Sequence, residues 1–413
     1  MLDFFFVVWV LFAIFSSYIS KVKFGFATNH YLLTNIYWII CLYISIYHNY
    51  YLHPVSDVIY YIFIIGNIFF NLTLYTSNIP KLPNNIDTSI IYSIRKRRIL
   101  EFVVLGAVIP IAYNNVRTIL SGGELWLMYK DYWEAKATNS YLEEFFRQNI
   151  VQPISLVLMA TCLFSNYSSQ NRWNNYLTLF IGASIAVLNM LMTAGGRTGL
   201  MQFCFFVFLS YVAFFYIDNK KIIYKISNKV LLGFLSIVVG AFAFATFGRG
   251  GEDVLDVVLE RISLFPALFE GFYKQTNICD GYTWGASMFE SPVSFILYPF
   301  KLLGFDVFDD RIGPIISQGI FTPATESEHN AVVSAYLYYM RDFGFLGVAL
   351  GPYIVGKIYN FLWKILRKDS FLIVFYFSGV CATCLDSGYP FARGYFFGVI
   401  YAFLIRKFLM IRK

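Results

Sequence analysis

Charged residues are scarce in this chain. Asp, Glu, Lys and Arg together make up 14% of its 413 residues, against about 25% in soluble domains. With 58% hydrophobic and 20% aromatic residues and a mean hydropathy of +0.59, too few polar side chains remain to cover a water-soluble surface. An ordinary soluble fold is thereby excluded, and lipid is left as the solvent. Cysteine is also sparse. Five of the six (Cys41, Cys162, Cys204, Cys381, Cys384) lie in apolar runs and only Cys279 falls in a loop, so no disulfide framework is implied. Cys381 and Cys384 spell CxxC inside an apolar run, where a structural role is expected. There are four histidines, His30, His48, His53 and His329. No ligand spacing surrounds His329, which argues against a metal site. The first apolar segment lacks a basic leader and a small-residue cleavage site, so it reads as a retained helix. The net charge of +7 reports orientation in a membrane protein rather than a nucleic-acid partner.

What is present is a series of apolar runs. A span needs about 20 apolar residues. The pattern predicts an all-α polytopic membrane protein of about eleven transmembrane helices, a single membrane domain over 1–413. The expected spans lie near 2–19, 31–48, 57–75, 99–120, 150–165, 174–193, 198–216, 230–247, 345–363, 370–386 and 393–408. Basic residues set the orientation. Lys21 and Lys23, Lys81 with Arg95 to Arg98, Arg172, Lys220 to Lys229, Lys364 to Lys368, and Arg406 to Lys413 alternate through these spans. All fall on one side, the cytoplasm, if the N-terminus is outside and the C-terminus inside. Two outer loops are then long, 121–149 and 248–344, and long loops are usually functional. Within the larger, residues 252–272 read as an amphipathic helix lying along the membrane surface. Residues 291–305 are apolar but short, with Pro299 and Lys301, and read as a re-entrant or interfacial segment. Residues 330–341 read as a short helix.

The outer side is rich in arginine, against the orientation rule. Arg is the preferred partner of phosphate because its planar fork makes paired charge-assisted hydrogen bonds; the alternative is pairing with outer acids. Arg197 sits in a tight glycine turn, Ala194-Gly195-Gly196-Arg197-Thr198-Gly199, just before a helix whose free N–H groups favour an anion. Arg249 sits in Gly248-Arg249-Gly250-Gly251, where a span enters the large loop. His329, in Glu326-Ser327-Glu328-His329-Asn330, is the only histidine of that loop and a candidate general base. Glu326, three residues back, is placed to orient it on a helix. Arg341 ends the following short helix, at the level of a lipid phosphate. Tyr338 on the same helix, with Arg261 and Arg311 elsewhere in the loop, completes the candidate substrate contacts. The Asp342-Phe343-Gly344 string lacks the other elements of a kinase and reads as coincidence. Aromatics of the outer loops, Trp126, Tyr129, Tyr132, Trp133, Tyr282 and Trp284, fit either sugar stacking or a membrane aromatic belt.

The hairpin GGRTGL at 195–200, the exit loop GRGG at 248–251 and the stretch EHNAVVSAYLYYMRDFGFLG at 328–347 resemble the Wzy-type O-antigen (oligosaccharide repeat-unit) polymerases of bacteria. The likeness covers most of the chain as topology but only these short stretches as sequence. It implies a GT-C-like glycosyltransferase of the inner membrane, working at the periplasmic face on undecaprenyl-pyrophosphate-linked oligosaccharide. It implies no nucleotide sugar, no metal and no other cofactor, and it leaves room for a partner that regulates chain length. The related O-antigen ligases and lipid-linked oligosaccharide flippases are the alternatives.

Overall fold

The computed structural model describes residues 1–47, 55–83, 90–120, 147–162, 172–192, 254–275, 282–305, 320–322, 327–329, 334–385 and 393–411, with isolated helical positions between 204 and 240. The chain divides into two compact units. The first comprises Met1–Leu82, Leu255–Ile365 and Thr383–Ala392, and the second Pro83–Val254, Leu366–Ala382 and Arg393–Lys413.

In the first unit, helices α1 (Leu2–Phe24), α2 (His30–Tyr47) and α3 (Asp57–Thr76) arise from near-continuous apolar runs. In lipid only a helix satisfies every backbone group within one segment. α1 ends at Gly25, whose φ of 83° lets its N–H return to the Lys21 carbonyl at 2.9 Å. The helices are joined by polar side chains that hydropathy alone does not reveal. Asn35 and Asn71 exchange amide bonds of 3.1 and 2.8 Å, and the Trp9 indole N–H donates to Asn67 Oδ1 at 2.9 Å. α10 (Phe345–Leu366) joins them through Asn360 Nδ2, which donates to the Tyr31 hydroxyl at 2.7 Å, and Trp363 Nε1, which donates to the Pro80 carbonyl at 2.7 Å. Such interhelical bonds supply direction where the apolar effect between helices is absent.

The same unit holds α7 (Val254–Gln275), α8 (Glu290–Leu302), the strands β1 (Ile320–Thr322) and β2 (Ser327–His329), and α9 (Ala335–Phe343). Leu264, Phe265, Leu268, Phe269 and Phe272 recur at helical spacing on α7 and are all buried. Phe265 meets Tyr37 and Trp38, and Phe269 meets Phe63. The apolar face of the C-terminal half of α7 is therefore packed on α2 and α3. The pattern names the apolar face of a helix but not what covers it. The pair β1–β2 is antiparallel, with Ile320 opposite His329, a small departure from an all-α chain.

The second unit contains α4 (Ile94–Leu120), α5 (Gln152–Ala160, entered by a π-helical turn at Arg147–Val151), α6 (Arg172–Met192), α11 (Ser370–Phe375, continued by a π turn to Val380 and the start of a 3-10 turn that ends at Leu385 in the first unit) and α12 (Arg393–Leu409). α4 begins before its expected start, and the basic run read as a connection forms its first turn. The reason is Glu101, which Arg97 and Arg98 reach from four and three residues back. Arg97 also donates to the carbonyls of Leu158 at 2.7 Å and Thr161 at 3.1 Å, and Arg98 to that of Asn174 at 2.6 Å. Lys96 donates to Phe408 and Met410 carbonyls at 2.9 and 3.2 Å, and in the first unit Lys23 to that of Leu74 at 2.7 Å. Arg97, Lys96 and Lys23 thus cap the C-terminal carbonyls of neighbouring helices, where positive charge is favoured, whereas the carbonyl that Arg98 reaches is in the first turn of α6.

Among the described residues four helices, α1, α2, α3 and α10, are long and apolar enough to cross a membrane. Helices also occupy the other expected ranges, except 198–216 and 230–247, which lie mostly outside the described residues.

Candidate functional site

α9 and the loop that grips it lie in the long segment between α7 and α10. α9 begins after Ser334, a few residues later than expected, and buries Tyr336, Leu337, Tyr339 and Met340. Tyr336 and Tyr339 are large rings that fit because small residues face them. A Cβ added to Gly66 would lie 2.1 Å from the Tyr336 ring, and one on Gly351 would lie 2.2 Å from that of Tyr339. At the end of α9 stands Asp342, fully buried. Its carboxylate accepts from the backbone N–H of Ser287 at 2.9 Å, from that of Met288 at 2.7 Å and from the Thr283 hydroxyl. The backbone adds Thr283 N–H to the Arg341 carbonyl and Trp284 N–H to the Asp342 carbonyl, both 3.3 Å. Both carboxylate oxygens accept from donors of the 283–288 loop, so Asp342 is a positioning group that fixes the entry to α8. The string Asp342-Phe343-Gly344, set aside as coincidence in the sequence, is the anchor of this region. Gly344, at φ 57°, then breaks the helix so that α10 can start.

Of the residues named from sequence, Arg341 is only 4% exposed. It is packed inside the protein and engaged there, rather than standing at an open surface. Tyr338 is half-buried on α9 and also engaged. His329 lies in β2. Extended residues alternate between faces, so the helical three-residue spacing that was to bring Glu326 under His329 does not apply there. Glu326 itself lies outside the described residues, as do Arg197, Arg249 and Arg311. Arg261 sits on α7, with only its backbone described. The outer loop 121–149 lies almost wholly outside them too.

A carboxylate that sequence reasoning missed is Glu270, on the buried half of α7. It accepts from the Ser56 hydroxyl at 2.6 Å and the Ser56 N–H at 3.3 Å, and from Lys274 at 2.5 Å. It therefore ties α7 to the start of α3. Burial alone would push its carboxyl up, but the bonds from Lys274 and Ser56 outweigh this and hold it below its ordinary value of 4.5. A depressed carboxyl adds stability that is complete above the unfolded value and is lost as pH falls through the folded one. The melting temperature of the wild type is thus expected to exceed that of Glu270→Gln at neutral pH. The two are expected to converge as pH drops below 4.5. Thermal unfolding in detergent across that range checks it, and parallel curves would remove the tie.

Beneath α9, a cavity of about 20 Å³ is lined by residues including Thr34, Trp38, Asn67, Tyr336, Tyr339 and Tyr359. It has room for about one water and is far below the size of a ligand pocket. Among the described residues no cluster of His, Cys, Asp and Glu could hold a metal ion. No protein-family model matches the chain, and neither the search of curated proteins nor that of solved structures found a match.

Proposed function

We propose that the chain polymerises surface-polysaccharide repeat units. It would transfer the growing glycan from undecaprenyl pyrophosphate onto a new lipid-linked repeat unit at the periplasmic face of a bacterial inner membrane. The observation that carries the reading is the stretch EHNAVVSAYLYYMRDFGFLG, together with the arginine turns at 195–200 and 248–251. The helical membrane character is consistent with it. In this reading the chain makes about eleven spans in a GT-C-like arrangement, N-terminus periplasmic and C-terminus cytoplasmic.

The chemistry follows from the substrate. The donor bond joins a sugar to a pyrophosphate, and negative charge develops on the departing diphosphate. Fixed guanidinium groups stabilise that charge without a metal. Arg197 and Arg249 are the residues assigned to it, with Arg261 and Arg311 as further contacts. The acceptor is a sugar hydroxyl, and His329 takes its proton during attack. Attack opposite the leaving group inverts the anomeric centre.

The test is a deletion followed by gel analysis of surface polysaccharide. The expected result is loss of the ladder of chain lengths with one repeat unit retained. Loss of every repeat would point instead to a ligase or a flippase, and an unchanged ladder would overturn the reading.

A further inference from the structure

We propose that α8 lies in the plane of the membrane at the interface where α10 begins, seated on lipid and fixed at its start by Tyr282 and Trp284. With 13 residues, α8 is about 20 Å long, too short to cross a hydrocarbon core of about 30 Å. Its apolar side chains are nonetheless turned outward. Phe295, Ile296, Phe300, Leu302 and Leu303 are all exposed. At 100° per residue they cover an arc of about 160°. Glu290 and Tyr298, on the opposite arc, are buried. Phe305, just beyond the helix, continues the exposed apolar surface. Water does not favour such a patch on a folded protein, and one face of a bilayer does.

The level of the helix follows from its anchor. Asp342 holds the N–H groups of Ser287 and Met288, and three residues after Asp342 the span α10 opens with Phe345 and Leu346, both exposed. The start of α8 is thereby tied to the end of a membrane span. Trp284 stands at the same place, 76% exposed and with a φ of 52° that a bulky side chain rarely adopts. Its ring meets Tyr282 at 5.9 Å and Phe343 at 6.4 Å, edge to face. The backbone bonds to residues 341 and 342 over-determine this conformation. A tryptophan–tyrosine pair at the end of a span is the arrangement favoured at the headgroup level. The surface is thus continuous with the lipid-facing side of α10, and its occupant is phospholipid.

The experiment places nitroxide labels at Ile296→Cys and Leu303→Cys, separately, in the full-length protein with Cys204→Ser and Cys279→Ser, reconstituted into phospholipid nanodiscs. Power-saturation EPR compares collision with oxygen, which concentrates in lipid, and with a water-soluble nickel chelate. Leu11→Cys on the exposed face of α1 serves as the lipid reference and Lys81→Cys as the aqueous one. Both labels on α8 are expected to collide with oxygen more than Lys81→Cys and less than the mid-span Leu11→Cys, and to share one depth within a few ångströms. A helix that dips inward would separate them by about 10 Å, the rise of seven residues, and would overturn the in-plane placement. Strong collision with nickel would show a water-facing surface open to glycan. Protection from both reagents would show a protein partner such as a second copy. Either result would overturn the proposal.

Discussion

Gly347→Ala is expected to cost the first unit several kcal/mol or to prevent its accumulation, whereas Gly106→Ala is expected to be neutral or mildly stabilising. Both glycines lie in helices, and alanine is the better helix former by about 1 kcal/mol. Their surroundings differ. A Cβ on Gly106 meets nothing within 4 Å, so the propensity gain is unopposed. A Cβ on Gly347 would lie 1.9 Å from the Tyr339 carbonyl oxygen and 2.6 Å from its carbonyl carbon. That neighbour is backbone, and no rotamer change relieves the contact. Relief requires α9 to lift from α10, which would withdraw Tyr339 from its seat against Gly351 and Tyr336 from its seat against Gly66. Overpacking costs about 1–3 kcal/mol when side chains can adjust, and more when they cannot. Thermal unfolding of the two purified variants in the same detergent measures the difference. Equal melting temperatures would show that α9 is not seated on α10 as described.

How much of this was legible in the sequence depends on which force fixed each part. Spans such as α1, α3 and α10 are set by transfer of the backbone into lipid, a property of composition within a window, and their ranges fall where hydropathy places them. The contacts that join them are not. Asn35, Asn67 and Asn71 are isolated polar letters in apolar runs, and only the fold shows that they meet. Gly66, Gly347 and Gly351 read as tolerated glycines until the tyrosines facing them are known. α7 declared its apolar face at residues 264, 265, 268, 269 and 272 but not that α2 and α3 would cover it. Asp342 could not be recognised because two of its three donors, Ser287 and Met288, are backbone N–H groups, which leave no trace in residue identity, and the third, the Thr283 hydroxyl, lies 59 residues away in sequence. Basic residues carried two meanings at once. Arg97 and Lys96 were read as orientation signals, and the structure adds a local reason for their place in the carbonyls they cap.

His329→Ala carries the largest effect expected on activity. If His329 takes the proton of the acceptor hydroxyl, its removal lowers turnover by about 10²–10⁴-fold. In the proposed reading the lipid carrier and diphosphate are held by other residues, so substrate affinity is expected to hold. Arg197→Ala, by contrast, would in that reading remove a group that stabilises charge on the leaving diphosphate, and is expected to raise the barrier by about 2–4 kcal/mol. The two are separable by their pH dependence. Wild type and Arg197→Ala are expected to share an acidic limb, where rate rises as the base becomes free, and His329→Ala is expected to lack it. The strand pairing of His329 with Ile320 bears on the choice of control. His329→Gln keeps an extended, hydrogen-bonding residue in β2 without a titratable ring, so it preserves the hairpin while removing the base. Rates are measured as chain extension from purified lipid-linked repeat units in proteoliposomes. If His329→Gln extends chains at the wild-type rate, with the acidic limb intact, the proton is taken by another group and the role assigned to His329 is wrong, whatever becomes of the arginines.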